Sequence, residues 1–254
     1  MNSEIRKSAI LDLAQSEGMV SVERLAEHFE VASQTIRRDL AQLAQSGKLE
    51  RVHGGAVLPS RPANLDYVQR QRVNAEGKAR IGALCAQNIP DNASIFINIG
   101  TTTEAVARGL THHRGLLVVT NSLNTANILA ANPEIDIIVA GGALRRTDGG
   151  LLGNLTTQVV DLFKFDLAVI SCAAIDEDGD LLDYDLQEVN ATQAITRQSK
   201  ATFVVADHTK FQRRAPGKIG SLGDSYTLFT DVPVPAALRT RCDDLGARIC
   251  VSGR

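Results

Sequence analysis

The sequence predicts an α/β protein in two parts. A small module of three short helices and a hairpin comes first, followed by a mostly parallel sheet covered by helices on both faces. Three observations lead there. Up to about residue 57, apolar positions recur at helical spacing and then give way to a Gly-containing alternating stretch. Beyond residue 75, strongly apolar strand-like runs alternate with helix-like runs, the pattern of a sheet buried on both faces. In that second part the small polar residues follow the apolar runs, at the carboxyl ends of strands, where open α/β sheets bind ligands.

The bulk properties set bounds. A chain of 254 residues allows one or two domains, and 44% hydrophobic with 22% charged residues is ordinary for a soluble protein. The net charge of −2 means that any nucleic-acid contact must come from a local cluster. No apolar run is long enough to span a bilayer, and "MNSEIRKSAILDLAQSEG" lacks a signal-peptide apolar core, so a cytoplasmic protein is expected. Cys85, Cys172, Cys242 and Cys250 have no CxxC spacing and are expected to be reduced and buried; neither a metal site nor a cofactor is expected.

The first helix carries Ile5, Ala9, Ile10 and Leu13 on one face and stops at Gly18. "SVERLAEHFE" restarts with Ser21 as N-cap and Val22, Leu25, Ala26 and Phe29 on one face. A third helix begins at Ser33, expected as its N-cap, and ends at Gly47, with Ile36, Leu40 and Leu43 inward. "GKLERVHGGAVL" then reads as a hairpin. Together these describe a winged helix-turn-helix over residues 1–57, its helix-turn-helix motif at about 20–39. At the start of the third helix, Ser33, Gln34, Thr35, Arg37 and Arg38 stand where a recognition helix enters the major groove, and Lys48, Arg51 and His53 line the wing. Two adjacent arginines also occur on plain solvated helices; their place in the turn pair favours DNA.

Residues 58–75, with Pro59 and Pro62 and polar turn residues, read as a linker; the cluster Arg70, Arg72 and Lys78 could touch DNA or pair with Glu76, but solvated charge is the favoured reading. Residues 76–254 form the second domain. Its helix "KARIGALCAQNI" leads to strand "ASIFINIG" and helix "TTTEAVARGL". Strand "GLLVVT", helix "NSLNTANILAAN" and strand "IDIIVAGG" follow. Then come strand "FDLAVISCAA", helix "DLQEVNATQAITRQS", strands "ATFVVADH" and "YTLFTD", helix "PAALRTRCDDLG" and strand "ARICVS".

The candidate binding residues lie after these strands. They are Gly100, Thr101, Thr102 and Thr103; Thr120, Asn121 and Ser122; Gly141 and Gly142; and Asp207, Thr209 and Lys210. Glycine allows close backbone approach, hydroxyls and helix N-terminal N–H groups donate, and Lys210 supplies countercharge, which suits a phosphate. One such junction would only cap a helix; several on one edge favour a shared site. GxGxxG and GxxxxGK[ST] are both absent, which argues against a dinucleotide or nucleoside triphosphate and for a small phosphorylated metabolite.

The stretch "ASQTIRRDLAQLAQSGKLERVHGGAVLPS", with its T-I-R-R-D-L core and H-G-G-A wing, resembles the start of the DeoR family of bacterial transcription regulators. "GTTT", "VVTNS", "AGG" and "ADHTKF" extend the resemblance over nearly the whole chain. It implies a sensor domain related in fold to ribose-5-phosphate isomerase and glucosamine-6-phosphate deaminase, assembly as a homo-oligomer (dimer or tetramer), and release from operator DNA by a phosphorylated effector. Within the family, "TDGGLLGN" and "LLDYDLQEV" are most similar to repressors of glycerol-3-phosphate metabolism. That resemblance adds Asn98, Asp148, Gly149 and Gly153 to the effector contacts and implies glycerol-3-phosphate as effector, with another sugar phosphate as the alternative. Three places depart from the family: Asn98 stands where Asp is usual, "SCAAID" replaces a glycine-richer stretch, and "NATQAI" lacks a basic residue after Glu188.

An isomerase- or deaminase-like enzyme is the competing class, since Asp148, Asp183, Asp185, Glu188 and Asp207 could include a general base. Such loop carboxylates are more often solvated or capping, and the five histidines form no catalytic group: His112 and His113 are expected to be exposed, and only His208 lies near the pocket. A structural DNA-bridging protein would not need the polar strand ends. The sequence thus favours a ligand-responsive transcriptional repressor over an enzyme.

Overall fold

The computed structural model describes residues 3–17, 19–46, 48–52, 55–57 and 67–253. The chain divides into two compact units, Met1–Ala63 and Asn64–Arg254.

The first unit comprises α1 (Ser3–Glu17), β1 (Met19–Ser21), α2 (Val22–His28), α3 (Ser33–Gln45), β2 (Glu50–Val52) and β3 (Gly55–Val57). The helical stripes meet in one core of Ile10, Val20, Leu25, Ile36, Leu40, Leu43 and Leu49. Ser21 caps α2 by accepting from the Arg24 N–H at 3.2 Å. The expected cap at Ser33 is corrected. Ala32 holds the N-cap position in extended conformation without a side-chain bond, and Ser33 is the first helical residue. Gly18, Gly47 and His53 lie outside the described residues. The hairpin is three-stranded rather than two-stranded, because β1 joins it in the order β1-β3-β2. Gly55 makes that pairing possible: a Cβ there would stand 2.1 Å from the Val20 carbonyl oxygen.

The second unit opens with α4 (Tyr67–Arg72) and α5 (Ala75–Gln87). The alternation then runs β4 (Ser94–Ile97), α6 (Thr101–Gly109), β5 (Leu116–Thr120), α7 (Leu123–Leu129) and β6 (Ile135–Val139). A hairpin, β7 (Ala143–Arg145) and β8 (Gly150–Leu152), leads to α8 (Asn154–Asp161) and β9 (Phe165–Ile170). The strands β10 (Ala174–Ile175) and β11 (Asp180–Asp183) precede α9 (Leu186–Arg197) and β12 (Ser199–Val205). A 3-10 turn (His208–Gln212), β13 (Gly217–Ser221), β14 (Tyr226–Thr230), α10 (Ala236–Leu245) and β15 (Arg248–Val251) complete it.

Seven strands form one parallel sheet in the order β15-β14-β12-β9-β4-β5-β6. Alternate residues serve opposite faces. Phe96, Ala168 and Ile170 enter one core, and Ile95, Ile97, Leu167 and Val169 the other. The chain starts inside the sheet at β4, moves outward through β5 and β6, then crosses to β9 and moves outward the other way. The strand order therefore reverses between β4 and β9, and the carboxyl ends of those two strands are the expected crevice.

Two sequence readings change here. The second half of the 58–75 segment is not open linker: residues 67–72 form α4 within the second unit, while 58–66 lie outside the described residues. The hairpin β7–β8, the helix α8 and the small antiparallel sheet β10-β11-β13 were not anticipated. Cys85, Cys172 and Cys242 are buried, Cys250 is half-buried, and all four are free thiols. Among the described residues, no helix is long and apolar enough to cross a membrane.

Leu40 is 1% exposed at the centre of the first core. Leu40→Ala should cost about 2–5 kcal/mol. Thermal unfolding should show the first unit's transition moving down while that of the second unit stays in place.

Candidate functional site

In the first unit, α3 presents Gln34, Arg37 and Arg38 fully to solvent and Ser33 and Thr35 partly. Its other face holds it in place: Ile36, Leu40 and Leu43 pack inward, and buried Asp39 accepts from Arg6 Nε at 2.6 Å and from the Ser3 hydroxyl at 3.1 Å, tying α3 to α1. Lys48 and Arg51 are exposed at the hairpin. The helix thus offers a donor-rich face, with Lys48 just before β2 and Arg51 on it as two further cations.

In the second unit, the turn after β4 is built from Asn98 to Thr103. Gly100 caps α6 with φ +154°, and a Cβ on it would meet Ser171 Cβ at 3.3 Å, so the β4 and β9 ends adjoin directly. Thr101 is half-exposed, whereas Thr102 and Thr103 are buried, and the Thr103 hydroxyl donates to the Gly100 carbonyl at 2.8 Å. Asn98 is buried and internally engaged: its Nδ2 donates to Thr192 Oγ1 at 2.8 Å, and its Oδ1 accepts from the Ile99 N–H at 2.8 Å. The "NATQAI" departure supplies Thr192, the partner that Asn98 requires.

After β5, the Thr120 hydroxyl donates to the Ile97 carbonyl at 2.6 Å and accepts from the Ser122 N–H. Ser122 caps α7. Asn121 Nδ2 reaches the Leu151 carbonyl at 3.3 Å, while its Oδ1 is buried with no partner among the described residues. Gly142 follows β6 at φ +149°, where a Cβ would lie 2.4 Å from Thr156 Oγ1 and 2.6 Å from the Leu152 carbonyl oxygen. Thr156 donates to the Gly141 carbonyl at 2.7 Å. Gly141 and Gly153, the latter at the N-terminus of α8, both border open space. These contacts tie Gly141 and Gly142 to β8 and α8, not to the turn after β4.

The strongest electrostatic feature was missed by sequence reading. Asp148, in the β7–β8 turn before Gly149, receives Arg145 through both oxygens, Nε at 2.9 Å and Nη2 at 2.6 Å. Arg70 Nη2 joins at 3.0 Å and the Gly150 N–H at 3.2 Å. Burial alone would raise the Asp148 pKa, but the Arg145 bonds and charge outweigh it and hold it below the usual carboxylate range. Arg145 Nη1 continues to Asp185 at 3.0 Å and to Glu188 Oε1 at 2.5 Å, the latter a charge contact rather than an aligned hydrogen bond. Burial, with the neighbouring Asp183 charge, pushes Glu188 up to about 7; burial also raises Asp183.

On the β12 side, the Asp207 Oδ1 accepts from the Thr209 N–H and hydroxyl, and its Oδ2 is buried without a partner among the described residues. Lys210 is buried; desolvation, and then the charge of Arg213, lower its pKa. Lys78 on α5 is buried as well, pushed down to about 8 by desolvation, with Asp207 opposing. Lys78 also lines a cleft of about 200 Å³ with Gln71, Ala75, Ala79, Thr101, Ala105 and Arg108. His208 pairs with Asp231 at 2.8 Å, so it faces a carboxylate of its own.

The expectation of solvated charge is therefore corrected for Arg70, Lys78, Asp148, Asp183 and Glu188, which partners or burial claim, while Asp185 caps α9 and Asp207 caps the 3-10 turn. His113 is likewise half-buried rather than exposed, with Nε2 3.1 Å from the Ile89 carbonyl oxygen. The helical spacing of α5 puts Lys78 beside the inward residues Ile81, Gly82 and Cys85, the one local sign that it is not solvated.

Both matched domains now have their geometry. The DeoR-like helix-turn-helix domain matches residues 6–62, and the DeoR C terminal sensor domain matches residues 73–232. The chain belongs to the DeoR family. The glycerol-3-phosphate regulon repressor of Escherichia coli (strain K12) is 42% identical over 94% of this chain and 94% of its own. That of Haemophilus influenzae is 45% identical over 92% and 91%. The transcriptional repressor CsqR of E. coli is 38% identical over 94% and 92%. Among solved structures, ribose 5 phosphate isomerase A from Neisseria gonorrhoeae aligns at 13% identity over 53% of this chain and 52% of that one, with a TM-score of 0.39. The paired helix-turn-helix and sensor domains are those of a regulator, and the polar strand ends belong to its sensor half.

The raised Glu188 pKa has a sign. A carboxyl more basic in the folded than in the unfolded chain binds extra protons when folded, so stability falls as pH climbs from the ordinary range near 4.5 through about 7. The second unit's Tm should drop across that window, by about 2–4 °C for each kcal/mol lost. Glu188→Gln should flatten the slope, as read by calorimetry at about pH 5 and about pH 7.5.

Proposed function

We propose that this protein is a cytoplasmic repressor of glycerol-3-phosphate metabolism, released from operator DNA when glycerol-3-phosphate binds the carboxyl edge of its parallel sheet. The observation that carries the reading is the switch point between β4 and β9. There the N-terminus of α6 offers uncapped N–H groups and Thr101 beside buried Lys78, in the same chain as an exposed recognition helix. The helix N-terminus favours a dianion through its dipole and its free donors. On this reading Thr101 to Thr103 with Gly100 cradle the phosphate, and Lys210 and Lys78 offset its charge. Asn98, Asn121, Ser122, Asp148, Gly149 and Asp207 shape the polyol end, and Gly141, Gly142 and Gly153 form the outer rim. Relatives with glycerol-3-phosphate in their names, similar over more than nine-tenths of the chain, support this effector over another sugar phosphate.

In the head, Gln34, Thr35, Arg37 and Arg38 read the major groove, with Ser33 at the helix start and Lys48 and Arg51 on phosphates. One winged module makes a small interface, so two or more copies, held together through the second unit as a dimer or tetramer, bind repeated half-sites.

Two measurements test this. Arg37→Ala with Arg38→Ala should lose about 1–3 kcal/mol of operator affinity for each base-reading arginine. Unchanged binding by the double variant would refute the DNA-reading assignment. Thr101→Asp places a negative charge at the half-exposed start of α6, where it repels a phosphate without entering the core. That variant should bind operator normally and ignore glycerol-3-phosphate. Release at the wild-type ligand concentration would move the phosphate elsewhere, and a wild-type response to a different phosphorylated sugar alone would change the effector.

A further inference from the structure

Helix α4 is unusual in how it is held. None of its residues is fully buried, Val68 is 49% exposed and Tyr67 is half-buried, so apolar packing does little to fix it to the second unit. Polar contacts do more. The Tyr67 hydroxyl donates to Glu104 Oε1 at 2.8 Å and accepts from Asn124 Nδ2 at 2.8 Å. Arg70 Nη2 donates to Asp148 at 3.0 Å. Lys78 Nζ donates to the carbonyls of Arg70 and Val73 at the helix's C-terminal end.

The partners in this clamp stand beside the effector contacts proposed above, on which the inference rests. Glu104 directly follows Thr103, Asp148 directly precedes Gly149, and Lys78 shares its cleft with Thr101. The Arg70 contact is also the weak one. Asp148 is already doubly bonded to Arg145, so Arg70 shares a carboxylate whose charge is largely matched, and its Nε is buried with no partner among the described residues. A dianion arriving at the sheet edge is a stronger partner for that guanidinium.

We infer that α4 is a charge-keyed latch: an anionic effector draws Arg70 from Asp148, and α4 leaves the second unit. A helix held mainly by polar contacts belongs to the low-stability end of a fold, from which switching elements are drawn. Its position suits the task, since α4 is the first described element after the boundary between the units. Tyr67 reinforces the latch, because its hydroxyl, held by burial and Glu104 with a pKa near 12, stays a donor to that carboxylate.

The test uses full-length protein and an operator fragment selected from random DNA by the wild type. Hydrogen exchange at Gln71, Arg72 and Val73, whose amides the helix itself can bond, should be slower in the unliganded wild type and speed up on saturation with glycerol-3-phosphate. Arg70→Gln should exchange fast without ligand and bind operator about tenfold more weakly, within the usual range of allosteric coupling. Ligand should release it little further. Tyr67→Phe, which keeps the ring, should move the same way by less. Wild-type operator affinity and slow exchange in both variants would overturn the latch, whatever the effector. If instead the wild type ignores glycerol-3-phosphate while the variants still lose operator affinity and exchange fast, the latch stands and the effector assignment fails.

Discussion

The sensor half is organised around one carboxylate. Asp148 lies in a turn only a few residues long, yet it gathers guanidiniums from β7 and α4 and a backbone N–H from β8. Through Arg145 it reaches Asp185 and Glu188 at the start of α9. α9 in turn supplies Thr192, the partner of Asn98 beneath the turn after β4. Elements far apart in sequence are thus held by a chain of charge-assisted bonds over the carboxyl edge of the sheet. Below that edge, apolar packing suffices; above it, where irregular loops must be held in register, ion pairs take over.

Such a network is a poor way to add net stability. Desolvating buried charges costs several kcal/mol each, and their mutual attraction rarely does more than recover it. Its value is discrimination between arrangements, because a buried ion pair has few acceptable partners and responds sharply to a new charge. The site carries the marks of that bargain. Glu188 and Asp183 are held in surroundings that resist their ionisation, Lys210 and Lys78 in surroundings that favour losing a proton, and Asp207 and Asn121 each keep a buried oxygen with no partner among the described residues. A ligand that satisfies some of these groups can shift the whole set, which is the requirement for a sensor.

The regular elements were legible in the sequence because each leaves a local signal. The helical stripes of the first unit and the apolar strands of the sheet place most of their core residues correctly: Ile36, Leu40 and Leu43 are buried where their spacing put them, and so are Phe96 and Val169, whereas Ile5, on the stripe of the first helix, is 62% exposed. Three-residue strands such as β7 and β8 leave too little pattern to read, and Gly149 and Gly150 look like an ordinary loop. The cap of α3 misled for a subtler reason. Ser33 is a better capping residue than Ala32, but the backbone turns one residue earlier. The charge network was illegible in principle. Arg70 and Asp148 are 78 positions apart, and only the fold turns separate solvated-looking residues into one cluster.

The same network bears on why a sheet edge rich in carboxylates need not be an enzyme. A general base must be free to take a proton from a substrate carbon and hold it near the working pH. Glu188 has the right proton affinity, but it faces Arg145, itself locked to Asp148 and Asp185. Asp148 is held ionised and fully bonded, and His208 is turned to Asp231, which also accepts from Asn74. These groups are partnered with one another, in geometry that fixes loops rather than leaving a reactive pair facing open space. Chemistry would require breaking those pairs in every turnover. Sensing requires breaking one of them once, when the ligand arrives.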